Sequence, residues 1–353
     1  MRVERKIGKE NAKYKLRSEE IDVGEGQKLY VIEWGNPKGK PFICLHGGPG
    51  ASFNESHVAL FNGETDHVIF FDQRGCGEST PSAAKLTTEQ LRDTNTPTHL
   101  VRDMEHLRLR FDMQKMNIVA GSWGSSLASF YAIEHPDRVA SLQLWSLYLA
   151  NRKQAILRFE DKTREPGFPQ MCVEPWKEFI ALIPESERGY DKDGLANPVS
   201  IMNYCASAKG VNNPDEKIAR KFAEAYLIYE YTLCQPDGSD TDPKGTMKKI
   251  RKLITDDPNT LSAARLEITY KANDTFVEDD HIFKNIEKLK GIPITIVQGK
   301  RDWCTPTRFA RMLEEKLGVK CVEEVDSGHL RTDKEMKKRI EENIRRAPMP
   351  PAV

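Results

Sequence analysis

Three short apolar runs open the chain's regular pattern: KLYVIEWG (28–35), PFICLHGG (41–48) and HVIFFDQRG (67–75). Each ends in a glycine-containing turn. In the second and third the apolar residues are continuous and do not alternate with polar ones, which predicts strands buried on both faces of a parallel sheet. Residues 95–111 follow a helical period, with Thr96 placed as N-cap, Pro97 in the first turn and Leu100, Met104, Leu107 and Phe111 on one face. A strand is expected at 116–121, a helix at 123–135 ending before Pro136, and a strand at 139–146. From about 150 to 285 the pattern becomes mostly helical, as in EKIARKFAEAYLIYEYTL (216–233). Strand and helix alternate again from IPITIVQGKRD (292–302) through RFARMLEEKLG (308–318) and KCVEEVDSGH (320–329) to a charged C-terminal helix. The expectation is one α/β domain, 1–150 with 286–345, interrupted by a helical cap at 151–285 and followed by a disordered tail at 346–353.

Composition narrows the function classes. The 353 residues are 39% hydrophobic and 30% charged, and 53 Lys+Arg balance 53 Asp+Glu. No single-sign block points to nucleic acid or an anionic membrane. No run reaches the ~18 apolar residues of a membrane span, and the charged start MRVERKIGKE lacks a signal-peptide core. Seven cysteines without metal-ligand spacing suit a reduced, cytoplasmic protein with no structural zinc and no cofactor.

The candidate chemistry begins at AGSWGSSLA (120–128), where a strand pattern gives way to a helical one. Small residues around Ser122 permit a sharp turn that lifts its hydroxyl clear of the sheet, with a helix N-terminus behind it. Ala120 stands where the strict nucleophile-elbow pattern has glycine. A serine at such a corner is also a common helix cap. Ser125 and Ser126 lie inside the helix and read as packing residues. A serine nucleophile needs a base and an orienting acid, ordered Ser, acid, His after successive strands. Asp302 follows IPITIVQG and His329 follows KCVEEVD, so the chain supplies that order. HGGPG (46–50) follows another strand. Backbone N–H groups of Gly48 and Trp123 are the expected oxyanion hole, and His46 a loop-shaping residue.

With these parts assembled, the chain resembles the proline iminopeptidase (prolyl aminopeptidase) family of the α/β-hydrolase superfamily. The likeness spans about residues 25–330 and rests on HGGPG, FDQRGCGEST (71–80), NTPTHLVRDMEHLR (95–108), GSWGSSLA, HPDRV (135–139), and VQGKRD followed by SGH. It implies an α/β-hydrolase fold, a mostly parallel sheet with a helical cap inserted after the sixth strand. It implies a serine exopeptidase that forms an acyl-enzyme through Ser122, Asp302 and His329. Its expected partners are peptides with a free N-terminus, preferably proline. Asp72 and Arg74 become a structural corner beside the site. Two cap glutamates are implied to bind the substrate amine: Glu230 in YLIYE and Glu267 in ARLEITY. Tyr148 supplies an aromatic wall. Trp145 stands where the family has arginine, so a basic partner of the glutamates is expected to be lost, which leaves the residue class of the N-terminus open. Cys304, in DWCTP, reads as a bystander near the site. An esterase on the same fold, using the triad without the glutamates, and a non-catalytic hydrolase-like binder remain the alternatives, and the oligomeric state is open.

Overall fold

The computed structural model describes residues 7–157, 159, 172–190, 197–235 and 243–350. Its spine is an eight-stranded sheet in the order β1-β2-β4-β3-β5-β6-β7-β8. The strands are β1 (Lys15–Asp22), β2 (Lys28–Gly35), β3 (Lys40–Leu45), β4 (Asp66–Phe71), β5 (Met116–Ser122), β6 (Val139–Leu147), β7 (Ile294–Gly299) and β8 (Val322–Val325). β2 pairs antiparallel with β1 and with β4, and every pairing from β4 to β8 is parallel. Helices of eight or more described residues are α1 (Pro97–Arg110), α2 (Trp123–Glu134), α3 (Val173–Ile180), α4 (Pro198–Cys205), α5 (Glu216–Leu233), α6 (Pro243–Asp256), α7 (Thr260–Ala272), α8 (Thr307–Leu317) and α9 (Lys334–Arg346). All regular elements described between β6 and β7 are helical.

The continuous apolar runs fit this sheet because alternate side chains enter different cores. Ile43, Leu45, Ile69, Phe71 and Ile118 pack with Leu100, Met104, Leu127 and Phe309 from α1, α2 and α8. Phe42, Cys44, Val68, Phe70 and Val119 face the other way, onto Met336, Ile340 and Ile344 of α9. A third core, with Trp176, Phe179, Phe222, Tyr226 and Tyr229, is internal to the helical segment.

Two features differ from the sequence reading. β1 was not foreseen: in KLRSEEID only Ile21 is buried, as suits an edge strand whose charges discourage further pairing. The segment from 346, expected as a disordered tail, is placed as far as residue 350. Arg346 ends α9, Ala347 is buried, and the Pro348 carbonyl accepts from Asn117 Nδ2 at 3.0 Å. Residues 351–353 lie outside the described residues.

The helix α7 is seated directly on the 46–50 loop. A Cβ at Gly50, whose φ is +104°, would lie 2.7 Å from the Ala263 Cα, a backbone atom that cannot rotate away. Arg265 fastens the same helix by donating to the carbonyls of Ala83 and Leu86 at 2.8 and 2.7 Å. Gly50→Ala is therefore expected to cost about 1–3 kcal/mol of stability, read as a lower urea midpoint. An unchanged midpoint would contradict the close seating.

Candidate functional site

Six parallel strands run in one direction, so their carboxyl ends lie along one edge of the sheet, where open α/β sheets hold their ligands. β5 ends at Ser122, whose backbone has φ 53° and ψ −130° and sits at the N-cap of α2 without a side-chain capping bond. The serine is thus no ordinary helix cap. A non-glycine residue at positive φ is strained and must be held. Ser125 Oγ donates to the Ser122 carbonyl at 2.6 Å, and the 46–50 loop passes so close that a Cβ on Gly47 would lie 3.4 Å from Ser122 Cβ. Ser125 Oγ also accepts from Tyr148 N at 3.0 Å, and Ser126 Oγ donates to the Tyr148 carbonyl at 2.5 Å. Both serines are spent on backbone placement.

Asp302 follows β7 and His329 follows β8. Both are buried, and His329 Nδ1 lies 3.1 and 3.0 Å from the two Asp302 carboxylate oxygens. Thr305 donates to Asp302 from its backbone N–H at 2.8 Å and its hydroxyl at 2.7 Å, and Gln298 Nε2 donates at 3.1 Å. Burial works to raise the Asp302 pKa. The His329 charge and the His329 and Thr305 hydrogen bonds outweigh it and hold the carboxyl below its ordinary value. Sequence reading missed Thr305 and Gln298, although Thr305 sits in the quoted DWCTP loop.

Gln73 is another missed residue. Its backbone N–H donates to His46 Nε2 at 3.0 Å, its amide donates to the His46 carbonyl at 2.9 Å, and its Oε1 accepts from Trp123 Nε1 at 3.0 Å. One side chain thereby ties the loop carrying Gly48 to the helix start carrying Trp123. Its signal was its place in the DQRG turn. Beside it, Arg74 makes a bidentate pair with Asp103 at 2.7 and 2.8 Å, and Asp72 accepts from the backbone of Phe53 and Glu78.

One cleft is lined by Gly48, Ser122, Trp123, Tyr148, Glu267 and Lys271, among others. Glu267 and Lys271 stand one turn apart on α7, and Tyr226 and Glu230 one turn apart on α5. Lys271 Nζ donates to Glu230 at 2.9 Å, to Glu267 at 2.7 Å and to the Tyr226 hydroxyl at 2.6 Å. All three charged side chains are under a tenth exposed. The two glutamates do converge, 37 positions apart in sequence, but a resident ammonium stands between them. The basic partner that Trp145 was expected to remove is supplied by Lys271. Trp145 itself packs over the backbone of Gly121, where a Cβ would lie 2.0 Å from its ring, in the core facing α9. Cys304 is buried with its sulfur 3.6 Å from that of Cys234, just past α5.

The lowered Asp302 pKa has a sign that can be tested. The folded value lies below the unfolded one, near ~3.9. The stabilisation is therefore present above the unfolded value and is lost as pH falls through the folded one. Asp302→Asn is expected to be less stable than the parent at neutral pH by about 1–3 kcal/mol. The gap should close in acid. Urea midpoints measured from pH 7 downward check this, and a gap that stays constant would contradict it.

Comparison with known proteins completes the picture. Residues 40–172 match the family model described as the alpha/beta hydrolase fold. The proline iminopeptidase of Arabidopsis thaliana is 33% identical over 82% of this chain and 68% of its own length. That of Neisseria gonorrhoeae is 31% identical over 89% of this chain and 90% of its own. Among solved structures, a proline iminopeptidase-related protein from Thermus thermophilus aligns with a TM-score of 0.59 at 17% identity, covering 94% of this chain and 97% of that one. An esterase from Exiguobacterium antarcticum gives 0.56 at 17%, covering 94% and 99%. At such identities the structural likeness concerns the fold alone. The curated relatives carry the assignment further: at this identity and coverage, the chain belongs to the proline iminopeptidase family of α/β hydrolases.

Proposed function

We propose that the protein is a serine aminopeptidase that removes an N-terminal residue, preferably proline, from peptides. The observation that carries this reading is the single cleft that brings Ser122, Gly48, Trp123, Tyr148 and Glu267 together. Ser122 Oγ attacks the carbonyl carbon of the first residue while His329 Nε2 takes its proton. Asp302 fixes the ring by accepting from Nδ1–H and stabilises the imidazolium that forms. The oxyanion of the tetrahedral intermediate is received by the N–H groups of Gly48 and Trp123. Collapse expels the shortened peptide as an amine, protonated by His329, and leaves an acyl-enzyme on Ser122. Water, deprotonated by His329, then releases the first residue. The helical segment between β6 and β7 serves as the cap and contributes Glu230 and Glu267. With Lys271 ionised, the trio carries one net negative charge, so a protonated substrate amine still meets an attractive field. Lys271 holds the two carboxylates together in the absence of substrate.

Lys271 also favours a second reading. An ammonium already sits between the glutamates, so the cleft of an esterase acting on uncharged substrates would look the same. The two readings part on substrates. Under the aminopeptidase reading, Glu230→Gln and Glu267→Gln each lower kcat/KM for a free proline amide by about 10–100-fold, the worth of a charge-assisted hydrogen bond of ~1.5–3 kcal/mol. Hydrolysis of a neutral ester stays nearly unchanged. N-acetylated proline amide is expected to be a poor substrate of the parent enzyme. Equal loss on amide and ester would instead assign the glutamates to holding the fold.

Ser122→Ala is expected to abolish turnover and labelling by a fluorophosphonate probe with an unchanged circular dichroism spectrum. Labelling that persists at Ser125 would remove Ser122 as the nucleophile and refute the mechanism above.

A further inference from the structure

Cys234, Cys304 and His329 come from three separate parts of the chain and meet at one point. Each offers one ligand atom, and the three atoms lie within 4.8 Å of one another. The two sulfurs are 3.6 Å apart. A tetrahedral zinc ion with Zn–S bonds of ~2.3 Å sets its sulfurs about 3.8 Å apart, so the pair is already at ligand spacing. The histidine is prepared in the same sense. Asp302 engages Nδ1, which leaves Nε2 as the ring nitrogen turned away from the carboxylate. A carboxylate behind the far nitrogen is the usual outer-shell support of a zinc-bound histidine.

We propose that Cys234, Cys304 and His329 form a binding site for a thiophilic divalent cation of the zinc type, and that filling it inhibits the enzyme. Two sulfurs and one imidazole select zinc-like ions over magnesium or calcium, which prefer oxygen donors. The fourth position is left for water. On binding, each thiol gives up its proton to solvent and coordinates as thiolate, and the neutral imidazole coordinates through Nε2. Two protons are released on binding. The inhibition rests on the reading of His329 as the catalytic base: an Nε2 lone pair held by the metal cannot take the Ser122 proton. The ion would also fasten the end of α5, through Cys234, to loops beyond β7 and β8. The metal is an inhibitor here and not a cofactor, and catalysis needs none of its chemistry.

The site is tested on the full chain, chelator-treated and kept reduced, with Co²⁺ as the spectroscopic probe. One equivalent is expected to produce sulfur-to-cobalt charge-transfer absorption in the near ultraviolet, which Zn²⁺ then displaces. Ser122→Ala should keep these bands, because binding does not depend on turnover. Cys234→Ser, at a half-buried position, should weaken them, and Cys234→Ser with Cys304→Ser should abolish them. Zn²⁺ should inhibit ester hydrolysis by the parent, reversibly on adding EDTA. In Cys234→Ser, half-inhibition should need at least the roughly 10–100-fold more zinc that losing even an outer-shell partner entails. Absence of the bands, their survival in the double cysteine variant, or cysteine-bound metal without inhibition would each overturn the proposal. If the double variant fails to fold by circular dichroism, Cys234→Ser alone decides, through the band intensity and the zinc shift together. Bands that behave as expected alongside a Ser122→Ala variant that still turns over would refute the mechanism proposed above while leaving metal binding supported.

Discussion

Parallel strands must end on the same side of their sheet, and six parts of the site, all but those on α5 and α7, are extensions of such ends. β3 delivers the 46–50 loop, β4 the DQRG turn, β5 Ser122, β6 Tyr148, β7 Asp302 and β8 His329. Reversing any one strand would carry its group to the opposite edge. The geometry is then tightened by a few polar side chains that carry no chemistry themselves. Ser122 at φ 53° represents about 1–3 kcal/mol of local strain. It persists because Ser125 holds its carbonyl, Gln73 holds the Trp123 indole, and the Trp123 ring meets Tyr270 of α7 edge-on at 5.0 Å.

The second constraint is electrostatic. Two carboxylates and an ammonium are nearly withdrawn from water where α5 meets α7, and each alone would carry a desolvation cost of several kcal/mol. Together they leave one unit of negative charge instead of two. Two bare carboxylates brought together here would repel each other. Lys271, hydrogen-bonded to both, offsets that repulsion. Under the proposed aminopeptidase reading, a substrate ammonium approaching the trio would meet attraction from the glutamates and repulsion from Lys271.

What was legible in the sequence follows from where the signal is local. The central strands announced themselves because burial on both faces makes them continuously apolar. The placement of Ser122, Asp302 and His329 at or beyond the ends of β5, β7 and β8 was legible because strand patterns mark where each strand ends. β1 was not, since an edge strand exposes most of its side chains and reads as a charged loop. The convergence of Glu230 with Glu267 came from resemblance alone. Lys271 went unnoticed, although it lies four residues past Glu267, because a lysine on a helix is ordinarily solvated. The meeting of Cys234 with Cys304 and His329 had no sequence pattern at all: its parts are contributed by a helix end and two strand-end loops.

The helix α7 explains why so much of the site escaped a periodic reading. An amphipathic helix turns one face to a core and the other to water, and the apolar stripe then marks the buried side. In α7 the stretch from Thr260 to Tyr270 is buried almost continuously, polar residues included. One side packs into the helical core through Ala264 and Ile268, while Leu266 and Tyr270 join the core of the sheet. Four of its polar side chains meet specific partners: Ser262 bonds Ser82, Arg265 reaches the carbonyls of Ala83 and Leu86, Tyr270 bonds Asn95, and Glu267 pairs with Lys271. A buried polar group without such a partner costs more than the bond it fails to make, so these contacts fix α7 in one position over the sheet edge. That fixity sets where Glu267 and Lys271 stand relative to Ser122. The shape of this cleft is therefore a property of how α7 is docked as much as of the residues that line it.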